Sequence, residues 1–118
     1  MKKDKTILDV LAQVDQELAE GSFIVVDHWD ADLFAVGIAP PDQQDRIVYI
    51  STYKKPAGRY YVEIEFPKEH DFQCQEDGPS YDSVVYEEVS FDELLRITKQ
   101  HFEDGSNQRF EGNRLATP

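Results

Sequence analysis

Apolar residues fall into two periods along this chain. Ile7, Leu11, Val14 and Leu18 recur at spacings of four, three and four, which places them on one face of a helix. Thr6 offers an N-cap, Asp9 stands where a capping box has its acid, and Gly21 occupies a C-cap position. Beyond Gly21 the period becomes that of a strand. The β-branched run Phe23-Ile24-Val25-Val26 and the segment Leu33 to Ile38 predict two strands joined by a short hairpin, ended by Pro40-Pro41. Arg46 to Tyr53 is a third strand, and Lys54-Lys55-Pro56-Ala57-Gly58 is a turn. In the fourth strand, Arg59 to Phe66, the residues Tyr60, Val62, Ile64 and Phe66 point one way, and Arg59, Tyr61, Glu63 and Glu65 the other. Ser83 to Val89 is a fifth strand.

Ser90-Phe91-Asp92-Glu93 starts a second helix, with Ser90 as N-cap and Glu93 three positions on. Phe91, Leu94, Leu95, Thr98 and Phe102 line one face of it, and Gly105 marks its expected end. The pattern predicts an α+β fold: an N-terminal helix, an antiparallel meander of four to five strands and a C-terminal helix packed on one face. Residues 1–105 form the single expected domain, and 106–118 a flexible or loosely docked tail. The helices are expected to cover the even-numbered strand residues, such as Val36, Ile38, Val48, Ile50, Val62 and Ile64, leaving the more polar opposite face solvated.

Charge sharpens the picture. The 118 residues carry a formal charge of −12, and the stretch from Glu63 to Glu93 holds eleven acids against one base, Lys68. Such a balance repels phosphate backbones and anionic membrane surfaces, so neither nucleic acid nor membrane is expected as a partner. It favours a basic protein. Cys74 is the single cysteine, so no intrachain disulfide forms, and the basic N-terminal residues lead into no apolar core of a signal peptide; a cytoplasmic location is expected.

The residues that could carry chemistry make a thin set. Asp27-His28-Trp29-Asp30-Ala31-Asp32 brings three carboxylates and an imidazole together, yet alternate strand residues point apart, and the spacing is not that of an EF-hand. Asp30 and Asp32 fit better as turn-shaping residues through Asx hydrogen bonds. Trp29 at the hairpin tip is either an interface anchor or a lid over the edge of the core. His70 and Cys74 lie in the polar loop from Pro67 to Ser80 among Glu69, Asp71, Glu76 and Asp77, whose charges raise a thiol pKa and so work against a nucleophile. No catalytic set, metal site or cofactor is expected, and the chain is read as non-enzymatic.

Glu63 and Glu65 share a strand face with Tyr61, their side chains roughly 7 Å apart along the strand. Aromatic and carboxylate groups on a flat face suit Lys or Arg side chains. The residues expected to bind a partner are Trp29, Asp30, Tyr61, Glu63, Glu65, Asp82, Tyr86, Glu87 and Glu88. A homodimeric structural or regulatory domain is the alternative.

In size, acidity, strand-rich middle and the closing pattern Val89-Ser90-Phe91-Asp92-Glu93-Leu94-Leu95, the chain resembles the small acidic immunity proteins of bacterial toxin systems. The resemblance implies a compact cytoplasmic domain that binds and blocks a cognate toxin, often a basic nuclease.

Overall fold

A computed structural model describes residues 2–26, 31–67 and 81–115, with residues 67, 81 and 105–115 described by their backbone alone. The element order is α1 (Lys5–Glu17), β1 (Ile24–Val25), β2 (Ala35–Ala39), β3 (Val48–Ser51), β4 (Arg59–Pro67), β5 (Tyr81–Ser90) and α2 (Phe91–Leu115). All five strands form one antiparallel sheet in the order β1-β2-β3-β4-β5. The chain is thus an α+β meander flanked by two helices, as the alternation of apolar residues predicts.

Parity decides the core. Val36 opposes Ile50, Ile38 opposes Val48, and Ile50 opposes Val62, so their side chains share one face of the sheet. All five are fully buried, in one cluster with Ile7, Val10 and Val14 of α1 and Leu94 and Ile97 of α2. Both helices lie on this face because each carries one apolar stripe that must be removed from water.

Several local expectations are corrected. The N-cap of α1 is Asp4, not Thr6: the Asp4 carboxylate accepts from Thr6 N at 3.0 Å and from Thr6 Oγ1 at 2.6 Å. A carboxylate there accepts two hydrogen bonds at the positive end of the helix, and its pKa is held below the usual value, chiefly by the Thr6 hydroxyl. The helix closes at Leu18, whose N–H reaches Val14 O, and Gly21 serves the following turn with φ of 77°. β3 is shorter than expected, and α2 runs through Gly105 to Leu115 where an end at Gly105 was expected. A glycine inside a helix costs about 1 kcal/mol relative to alanine, a penalty that neighbouring helical residues can offset. The capping box at Ser90 forms as predicted: Glu93 N donates to Ser90 Oγ at 3.2 Å, and Ser90 N donates to Glu93 Oε1 at 3.2 Å.

One feature of β5 has no signal in its alternation. Tyr60 opposes Val89 and Val62 opposes Tyr86, so Glu87 and Glu88 together stand opposite the single residue Tyr61. This is a β-bulge, which adds a residue to one strand and re-aims the side chains beside it.

Candidate functional site on the open face of the sheet

The face of the sheet turned away from the helices is polar in β3 and β4, whereas β2 gives it the small buried residues Ala35, Gly37 and Ala39, so the expectation of a solvated opposite face holds only beyond β2. Tyr49 and Ser51 come from β3, and Tyr61, Glu63 and Glu65 from β4; Tyr49 opposes Glu63, and Ser51 opposes Tyr61. Together with Tyr53 and the lysines of the β3–β4 turn they line an open depression of about 600 Å³. The turn that brings the lysines there needs left-handed backbone at Lys54 and Gly58, with φ of 56° and 78°. It is closed by hydrogen bonds from Lys55 N to Thr52 O and from Arg59 N to Pro56 O.

Within the depression the Tyr49 and Tyr61 rings meet edge to face with centroids 5.9 Å apart. The Tyr61 hydroxyl donates to Glu63 Oε1 at 3.0 Å, which orients that carboxylate. Both phenols have raised pKa values. Burial is the main cause for each, followed for Tyr49 by the charge of Asp32 and for Tyr61 by the bond to Glu63. Both rings therefore remain neutral hydrogen-bond donors at physiological pH. Lys54 Nζ lies 5.3 Å from the centre of the Tyr53 ring. The depression is thus graded in charge, with lysines at the turn and carboxylates toward the far end of β4.

The expected binding residues divide. Tyr61, Glu63 and Glu65 share the open face, and the bulge brings Glu87 and Glu88 opposite Tyr61. Tyr86 does not join them: it pairs with Val62 and packs against the buried cluster on the helix side. Asp82 pairs with Phe66, also on the helix-side alternation, and is exposed near the start of β5. Trp29 and Asp30 lie outside the described residues, as do Asp27, His28, Cys74, His70 and the polar loop around them. Asp32 does what a turn-shaping aspartate should. Its Oδ1 accepts from Phe34 N at 3.0 Å, and its carbonyl accepts from Lys3 Nζ at 2.8 Å. Among the described residues no group of three or more His, Cys, Asp or Glu side chains could hold a metal ion.

Two residues that sequence reasoning assigned no role secure the acidic end of the face from behind. Arg46 and His101 are 3% and 2% exposed. Arg46 Nε donates to the His101 carbonyl at 3.1 Å, and its Nη2 lies 3.1 Å from His101 Nδ1. His101 Nε2 lies 2.9 Å from the carbonyl of Glu65. A guanidinium only donates and a carbonyl only accepts, so the ring is fixed as the neutral tautomer with its proton on Nε2. Burial, with the Arg46 charge second, pushes the His101 pKa down to about 4. Helix α2 is thereby bonded to the backbone of the residue whose side chain lines the open face.

No protein-family model, curated protein or solved structure matches this chain. Among the described residues, no helix is long and apolar enough to cross a membrane.

Proposed function

We propose that this chain is a non-enzymatic binding domain whose open sheet face receives a basic protein, most concretely an immunity-type inhibitor of a cationic toxin domain. The observation that carries the reading is the cluster of Tyr49, Tyr61, Glu63 and Glu65, with the Tyr61 hydroxyl holding the Glu63 carboxylate in place. Half-buried aromatics supply apolar contact area, and the oriented carboxylate beside them suits a guanidinium or ammonium group. The overall charge of −12 steers a cation toward the surface before contact is made. The location that goes with this reading is the cytoplasm, where such an inhibitor protects the cell that makes it.

Affinity capture from the source cell at low salt, followed by elution with a salt step and mass spectrometry, tests the reading. A single basic protein is the expected product. Replacing both Glu63 and Glu65 with lysine should weaken its binding by roughly a hundredfold or more and flatten the salt dependence, as close charge pairs across interfaces are strongly coupled. Binding that survives this double substitution unchanged, measured by calorimetry, would overturn the acidic-face reading.

A further inference from the structure

Among the described residues β5 is the last strand of the sheet. It is ten residues long, whereas the opposite edge, β1, has two. Long edge strands are templates for further pairing, and proteins usually blunt them with lysine, proline or very short length. Tyr81–Ser90 contains no lysine, arginine, proline or glycine. Its bulge lies at Glu87 and Glu88, leaving the run before it regular. Val84 and Val85, on opposite faces of that run, are 41% and 45% exposed.

The free backbone groups can be assigned. Ile47 N donates to Glu65 O at 3.1 Å and Glu65 N to Ile47 O at 2.8 Å, so Glu65 spends both groups toward β3. Direction alternates along an antiparallel strand. Phe66, Ile64 and Val62 therefore bond toward β5, where their partners are Asp82, Val84 and Tyr86. Ser83 and Val85, between those partners, direct their N–H and C=O groups outward to the edge, where no further strand lies among the described residues.

We propose that an extended cationic segment of a partner protein adds to the sheet beside β5, hydrogen-bonded to the backbone of Ser83 and Val85. Charge complementarity selects this occupant: Asp82, Glu87 and Glu88 lie on the strand, Glu63 and Glu65 on its neighbour, and β5 has no compensating base. A second copy of the chain would double those acids along one seam, and like charges on facing strands are destabilising. The incoming segment alternates, with Lys or Arg on the open face toward Glu63 and Glu65 and apolar residues on the helix side against Val84. This deepens the acidic-face reading and rests on it.

The test uses a synthetic peptide of alternating Lys and Val, as long as β5, and its counterpart with alternate amides N-methylated. Methylation keeps the charge and removes the edge hydrogen bonds. In 15N-resolved NMR titrations, the plain peptide should shift the amides of Ser83 and Val85, and the methylated one should bind roughly tenfold more weakly or worse. Val85→Pro removes an outward N–H without touching the ladder to β4, and should weaken the plain peptide to the same degree. Equal binding of the two peptides, with shifts confined to Tyr61, Glu63 and Glu65, would overturn strand addition and leave the acidic-face reading standing. Failure of both peptides to bind a chain that still captures its basic partner would also overturn it. A dimer in sedimentation, lost in Val85→Pro, would replace the cationic segment with a second copy.

Discussion

Among the described residues, His101 is the one at which ionisation and folding are most tightly linked. Its ring is buried, takes a hydrogen bond from Arg46 and gives one to Glu65 O, an arrangement that exists only with the imidazole neutral. The folded pKa of about 4 lies below the ordinary 6.5. Between those values the unfolded chain binds a proton that the folded chain refuses. The stabilising effect is therefore complete above pH 6.5 and is lost as the pH falls toward 4, amounting to about 3 kcal/mol at most. Denaturant unfolding of the wild type and of His101→Gln across that range should show the wild type losing about 2 kcal/mol more than the variant. Parallel pH profiles would mean that the ring is protonated in the fold. No pattern in the sequence announces this contact. Arg46 and His101 are 55 positions apart, and each alone reads as an ordinary surface residue. Tyr61, Glu63 and Glu65 were legible because alternation within one strand fixes a common face. Tyr49 joins them only through the β3–β4 register, a property of two strands rather than one.

At the scale of elements, the chain is legible wherever local chemistry and tertiary packing agree. The Ser90–Glu93 capping box stands at the junction where β5 passes directly into α2, and both of its hydrogen bonds form. The hydrogen bond that the Ser90 backbone N–H donates to the Glu93 carboxylate, with the Ser90 hydroxyl second, lowers its pKa, so the carboxylate is charged at the positive end of the helix. Replacing Ser90 with alanine should cost about 1 kcal/mol in urea unfolding, and replacement with glycine only a few tenths. Equal losses for the two would show that the hydroxyl contributes through packing and not as a cap. At the start of α1 two residues able to cap stand within three positions, and the expected cap, Thr6, is not the one used. Asp4 outranks Thr6 since its carboxylate reaches both the Thr6 amide and hydroxyl, while the Thr6 hydroxyl also lies 2.7 Å from that of Thr52. The bulge in β5 was invisible for a different reason: an extra residue in one strand leaves no mark until its partner strand is known.

Over the whole molecule, charge acts on folding and on binding with opposite sign. A chain of formal charge −12 repels itself when compact, and Glu63, Glu65, Asp82, Glu87, Glu88, Asp92 and Glu93 of β4, β5 and the start of α2 are part of that charge. The edge and the open face where a cationic segment is proposed to dock carry Glu63, Glu65, Asp82, Glu87 and Glu88, so occupation by a basic partner should stabilise the fold by relieving the repulsion among them as well as by mass action. Added salt separates the two effects. Screening lengths near 10 Å at 0.1 M weaken repulsion across the exposed acidic surface and weaken attraction to a basic partner by the same physics. At pH 7.5, where His101 is neutral and silent, raising sodium chloride from about 0.02 M to about 0.3 M should raise the thermal midpoint of the free chain by roughly 4 °C, the equivalent of about 1 kcal/mol. The same change should weaken binding of the lysine–valine peptide. A midpoint that falls with salt would mean that attractive pairs outweigh repulsion in the free fold, and the acidic surface would then be a balanced structural network instead of an unspent potential awaiting a cation.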